Sequence, residues 1–445
     1  MRALKKIATQ ALLAMLGAML ASTVWAGIPI VSWTHASGAQ VYLVESPAIP
    51  MLDVQIDVDG GSRRDPAAQA GLASATSGMF SKGVLAWGGQ PARDENALSE
   101  AWADLGASLV ASASADRFSV SLRTLTYPDL LDKSVVLAAQ QLAAPAWPAE
   151  VWRTERARWQ AAIKEADTRP ATRAGKAYSA AVYGSHPYGF DVTAAHLDRI
   201  EVADMRAHFD ASMRACRARI SLVGAINRAQ ADALVGRLMQ SLNKPCTPLP
   251  AVPEVAPLSA AVDLKLPFEA AQAQVLIGQP GVARANPDFF ALLVGNYILG
   301  GGGFVSRLYN EVREQRGLSY SVYSSFSPGL HAGAFTISLQ TRPDQAQQAV
   351  TITRDVLRDF VSRGPTAAEL QAAKDNLIGG FALRIDSNRK LLDNVANIAL
   401  HRLPLDYLDT WTAQIERVRL QDIQAAFARH LQPDRMVTVV LGGAP

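Results

Sequence analysis

The chain has 445 residues, 49% of them hydrophobic and 19% charged, with a formal net charge of +3 at pH 7. That apolar share is enough for packed cores and excludes a disordered chain, while the length favours two or three domains. Charges alternate in sign along the presumed helices and form no basic patch or stripe, which excludes a nucleic-acid-binding protein.

In chain order, the first element is a targeting segment. Arg2, Lys5 and Lys6 precede a largely apolar run from Ile7 to Leu20, and Val24-Trp25-Ala26 offers a small-residue cleavage site. The run is short for a membrane span of about 20 residues. Residues 1–26 are therefore expected to be a cleaved signal peptide, with a formally neutral, soluble, periplasmic product and no membrane span. Leu52, Val54, Ile56 and Val58 alternate with Asp53, Gln55 and Asp57, which predicts a half-buried strand. After Gly60-Gly61, Arg63-Arg64 reads as a solvated loop. Asp65-Pro66 then opens a helix, with the aspartate as N-cap and the proline in the first turn. Phe118, Val120 and Leu122 mark another strand, and helical spacing follows from Tyr127 to Ala143.

His186, in Tyr183-Gly-Ser-His-Pro-Tyr-Gly189, is expected to satisfy a backbone carbonyl. His35, His208 and His430 belong to no ligand spacing. Cys216 and Cys246 are the two cysteines; in an oxidising compartment they can be bonded. A disulfide and a pair of thiols both remain open, because sequence does not give their Cα separation.

Pro245, Pro248, Pro250, Pro253 and Pro257 make an extended connector. Across it a unit repeats. Asp204-Met-Arg-Ala-His-Phe209 precedes the strand ending at Gly224, and Asp422-Ile-Gln-Ala-Ala-Phe427 precedes the strand ending at Gly442, at the same offset. The expected organisation is domain 27–244, linker 245–259 and domain 260–445. Each domain is α+β, a mixed or antiparallel sheet covered by helices. In the second, Phe335, Ile337 and Leu339 alternate with polar neighbours, and residues 344–361 and 366–383 read as amphipathic helices. Gly300, Gly301, Gly302 and Gly303 precede a further helix. Without a Gly-Lys-Ser/Thr ending or Rossmann spacing, a nucleotide site is disfavoured. A flexible turn and a loop admitting close approach of a peptide remain.

The frame Gly71-Leu72-Ala73, Met79, Lys82-Gly83 resembles the zinc helix of the pitrilysin/insulinase peptidases, in which Gly-Leu-Ala leads into His-x-x-Glu-His. Ser74 stands at the first His, Ser77 at the Glu and Gly78 at the second His. Glu155 matches the first, non-ligand Glu of the distal motif, and Ala162 stands at its ligand position. A catalytic zinc needs about three protein ligands and an open position, and the metal-bound water needs a base. None of Ser74, Ser77, Gly78 and Ala162 supplies either. The stretch Ser306-Arg-Leu followed by Arg313 and Tyr320 is similar to the pattern in which that family's Tyr donates to the oxyanion and its Arg holds substrate carbonyls, a role suited to fixed donors.

The resemblance implies a clamshell of two homologous domains and a non-catalytic subunit, similar to bacterial two-domain members and mitochondrial processing peptidase alpha-type subunits. It implies no metal or cofactor on this chain, zinc in a catalytic partner with an intact His-x-x-Glu-His, and a peptide or unfolded polypeptide as substrate. Arg313, Tyr320 and Gly300 to Gly303 would bind that substrate. A peptide-binding or assembly protein, like the family's core subunits in respiratory complexes, is the alternative. A nucleophilic Ser74 or Ser77 would lack an adjacent base.

Overall fold

The computed structural model describes residues 27–442, so the expected signal segment 1–26 lies outside the described residues. The first sheet is built from β1 (Val31–Thr34), β2 (Gln40–Glu45), β3 (Met51–Val58), β6 (Ser108–Ala113), β7 (Phe118–Leu125) and β8 (Arg219–Gly224). Short strands β4 (Gly83–Val84) and β5 (Arg93–Asp94) pair separately. The second sheet holds β9 (Val262–Leu266), β10 (Ala273–Pro280), β11 (Val322–Phe326), β12 (Ala334–Thr341) and β13 (Val437–Leu441).

The strand orders are β1-β2-β8-β3-β7-β6 and β11-β12-β10-β13-β9. Taken from its β9 edge, the second sheet repeats the first without β1. The parallel pair β2/β8 corresponds to β9/β13, and the remaining neighbours are antiparallel in both sheets. In the repeated helices, Val202–Ser212 and Leu420–His430, the aspartate of the first turn accepts the N-cap N–H in the same way, Asp204 from Glu201 at 2.8 Å and Asp422 from Arg419 at 2.9 Å. Each satisfies an orphan N–H group at the helix start.

Five helices frame the degenerate zinc site, the glycine run and the junction between the halves. They are α1 (Leu72–Met79), α2 (Ala149–Ala166), α3 (Pro170–Tyr183), α4 (Phe289–Asn296) and α5 (Asn388–His401). The equivalent helices α3 and α5 are exchanged between the halves. Helix α5 lies on β8 and β3 of the first sheet, and α3 lies on β10 and β13 of the second. Val44 and Val223 accordingly belong to the second half's core, while Ala174, Tyr178 and Val182 pack with Val437, Val439 and Leu441. Tyr178 donates its hydroxyl hydrogen across the junction to the Phe335 carbonyl at 3.0 Å. The two α+β halves form a clamshell closed by this exchange.

The exchange corrects the expectation for β3, which is buried on both faces. Asp53 and Asp57 are each 1% exposed. Burial of a charge is costly unless it is paired. Arg123 donates to Asp53 at 2.7 Å, while Ser119 and Arg117 donate to Asp57 at 2.5 and 3.1 Å. The Arg63-Arg64 loop is likewise not simply solvated: Arg63 is buried and donates to Asp116 at 3.0 Å and Asp59 at 2.7 Å. Residues 243–261 carry neither helix nor strand. Cys216 and Cys246 are joined as a disulfide, with Cα atoms 6.4 Å apart, which fastens this segment to the turn before β8. His186 meets a carbonyl there, its Nε2 lying 3.0 Å from Pro253 O.

Candidate functional site

Helix α1 does not begin at Asp65. A 3-10 turn intervenes at Ala67–Gln69, and the helix starts after Gly71, which is left-handed at φ 103°. The Asp65 carboxylate reaches forward to accept the N–H groups of Gly71 and Ala73, both at 2.9 Å. Its cap is thus tertiary in form. Burial outweighs these bonds and pushes the Asp65 carboxyl up to about 6.

Leu72, Ala73 and Met79 are buried in the first core. Beyond the helix, Lys82 Nζ stands 2.7 Å from Glu95 and 3.2 Å from Glu155 on α2. The retained residues of the frame therefore hold the helix in place. The replaced ones lie on its more open side: Ser74 and Ser77 are half-buried and Gly78 is exposed. Ser77 Oγ donates back to the Ser74 carbonyl at 2.9 Å, an ordinary helical back-bond. Neither serine hydroxyl bonds a basic side chain among the described residues, so a nucleophile has no base. Two hydroxyls, a glycine and Ala162 do not fit a zinc ion, whose sites use thiolate, imidazole or carboxylate donors. Among the described residues no group of three His, Cys, Asp or Glu could hold one.

The glycine run is placed differently from expectation. Gly300 and Gly301 close a π turn, Tyr297–Gly301, that continues α4, and only Gly303 begins the next short turn, Gly303–Val305. A Cβ on Gly300 would lie 2.5 Å from Ser324 Oγ and 2.6 Å from its backbone N. One on Gly301 would lie 2.7 Å from the Asn296 amide, and one on Gly302 2.7 Å from the Tyr297 carbonyl. These three glycines allow the chain to lie against itself and β11, so close approach of a peptide is not what requires them. Gly303, at φ +60° with open space around it, alone keeps that freedom.

Arg313 lies in the last turn of a second π turn, Tyr309–Glu314. Its Nη1 donates to the Tyr320 carbonyl at 2.9 Å. Its guanidinium carbon lies 4.6 Å from the Tyr320 ring centroid, 4.7 Å from Tyr309 and 5.9 Å from Phe304. Tyr320 lies in a bend before β11 instead of in the strand, and it is 78% exposed. The sequence pair is thus brought together, with the arginine shaping the tyrosine's backbone.

Phe304 and Tyr309 were not among the residues that sequence reasoning singled out. Tyr309 lies four residues before Arg313, a spacing that puts side chains on one helical face. Phe304 is signalled only by adjoining the glycines; with Val305 it is exposed beside the pair. Arg307, the arginine of Ser-Arg-Leu, faces inward instead and forks onto Glu369 at 2.6 and 2.7 Å.

Residues 40–195 match the model for insulinase (peptidase family M16), and residues 199–377 match that for the peptidase M16 inactive domain. A solved M16 inactive-domain structure from Pseudomonas fluorescens is 31% identical, with a TM-score of 0.87, covering 94% of this chain and 98% of that one. The chain belongs to the M16 insulinase family. An uncharacterized zinc protease of Mycobacterium tuberculosis is 26% identical over 422 residues, 92% of each chain. The periplasmic protease PqqL of Escherichia coli shares the fold, at 18% identity and a TM-score of 0.80; the match covers 94% of this chain but 46% of that one. Within the M16 family, the matched inactive-domain model and the 31%-identical inactive-domain structure group it with peptidase homologues of the inactive type.

Proposed function

We propose that this chain is the exported, non-catalytic subunit of a heteromeric M16 metallopeptidase. Its units 27–244 and 260–445 would face a catalytic partner that carries the zinc, and residues 300–320 would meet the partner's site. The observation that carries this reading is the Tyr320 side chain, 78% exposed over the Arg313 guanidinium. A phenol held open in this way is suited to donate to an oxyanion that the chain itself has no means to generate. Arg313 positions it and keeps its remaining N–H groups for a peptide carbonyl. The coverage of PqqL, about half of a longer periplasmic protease, supports a partner of similar size. A disulfide at Cys216–Cys246 supports an oxidising compartment.

Tyr320→Phe in the assembled peptidase tests the reading. The ring and its packing are kept, so assembly should persist while kcat falls about 10²–10³-fold, as for a lost oxyanion donor. Arg313→Ala should raise KM and also lower kcat, because it releases the Tyr320 backbone. An undiminished kcat in Tyr320→Phe would favour the peptide-binding or assembly role instead.

A further inference from the structure

A cavity of about 820 Å³ opens where the first sheet, the end of α5 and the disulfide-tethered linker meet. Arg64, Arg217, Arg219, His401 and Arg402 line it, together with Asp59 and Asp116. Its acids are already engaged. Asp59 accepts from Arg63 at 2.7 Å and Arg64 at 2.6 Å. Asp116 accepts from Arg63 at 3.0 Å, from the Tyr188 hydroxyl at 2.5 Å and from the Leu330 N–H at 2.8 Å. Arg217 bonds the carbonyls of Ala211 and Thr247.

Arg219 and Arg402 are different. Neither side chain has a hydrogen-bond or carboxylate partner among the described residues, although both border the same space. Asp57 pairs with Arg219 across the β3/β8 ladder, yet its carboxylate is taken by Arg117 and Ser119. Burial and then the Arg402 charge hold the Arg219 guanidinium below its ordinary range, so the half-buried Arg219 and the exposed Arg402 act on each other as like charges bordering one cavity.

Arg402 also sits in the left-handed region, at φ 53°, as the residue that ends α5. Glycine takes that position without the Cβ penalty. A cation there offsets the negative end of the α5 dipole, which would otherwise repel an anion. Burial and the nearby Arg284 lower His401 to about 4, so near neutral pH it is a hydrogen-bonding lining group without charge.

We propose that this cavity binds a small oxyanion, phosphate or carboxylate, between Arg219 of the first sheet and Arg402 on the helix contributed by the second half. Paired guanidinium forks match the geometry of such groups. Because the two arginines come from different halves, the anion joins them and stabilises the closed arrangement.

The test is thermal unfolding and calorimetric titration with inorganic phosphate and, separately, with citrate, at ionic strength held constant with chloride. Wild type should show a saturable rise in Tm with at least one of them, and the arm that saturates identifies the anion class. Arg219→Gln should weaken binding about tenfold or more, as expected for a lost charge-assisted bond. Arg402→Gly should weaken it similarly while folding at least as well, since it relieves the left-handed backbone. No saturable shift in wild type overturns the site. An undiminished response in Arg402→Gly overturns the bridge, even if Arg219→Gln fails to fold.

Discussion

Gly78 is exposed and a Cβ placed on it would have nothing within 4 Å, so the space for a second imidazole persists although the ligand does not. Purified chain dialysed against a weak chelator should retain no stoichiometric zinc by metal analysis. The combined Ser74→His, Ser77→Glu, Gly78→His and Ala162→Glu variant should take up zinc, because residues four apart share a helical face. A tightly held equivalent in wild type would overturn the degenerate reading.

The Asp65 carboxyl makes stability depend on pH. It titrates near 6 in the folded chain against an ordinary 3.8, so between those values the folded state binds more protons than the unfolded state. Its contribution to stability is therefore largest below 3.8 and declines as pH rises through 6. Asp65→Asn, which still accepts from one of the two N–H groups, should flatten that part of the Tm–pH curve.

The glycine run and the disulfide act through whole elements. Gly300→Ala drives a methyl into the backbone of β11, a strain that typically costs about 1–3 kcal/mol and shifts α4 from its sheet. Gly303→Ala meets open space and should cost only about 1 kcal/mol for its left-handed backbone. Chemical denaturation of both variants should reproduce that order; the reverse order would restore a purely flexible turn. The disulfide closes a stretch with a sequence separation of 30 residues. Reduction, or Cys216→Ser with Cys246→Ser, should lower stability by about 3 kcal/mol in the loop-entropy model.

At the scale of the molecule, α3 and α5 each cover the other half's sheet. Separating the halves at the linker would expose Val44 and Val223 of the first sheet, Val437, Val439 and Leu441 of the second, and the apolar face of α3, and exposed apolar patches of that kind aggregate or recruit partners. Scanning calorimetry of the intact chain should therefore show one cooperative transition, with both halves melting together. Two separable transitions would mean that the exchanged helices contribute little. Residues 27–250 expressed alone should be poorly soluble, and coexpression with 251–445 should rescue them.

The alternation in β12, the duplicated helix and strand, and the four replaced positions of the zinc frame are local in sequence. A two-fold period and the absence of a ligating side chain depend only on neighbouring residues, and an equal offset compares two such local patterns along the chain. The α+β class, the duplication and the residues standing in the zinc frame could be read at that level. Other features depended on what stands on the far side of an element. Nothing near Asp53 or Asp57 announces that a helix more than three hundred residues later will bury them, so β3 reads as half-exposed. The glycines read as a loop because their contact, Ser324, belongs to another strand. Asp65 reads as an adjacent cap because its carboxylate spans a turn that only the folded backbone forms. Phe304 and Tyr309 become part of the Arg313–Tyr320 cluster only once two π turns bring their rings against one guanidinium. Tertiary packing decided these cases because burial and partner choice are properties of the surface that covers a residue, and for β3 that surface comes from the opposite half.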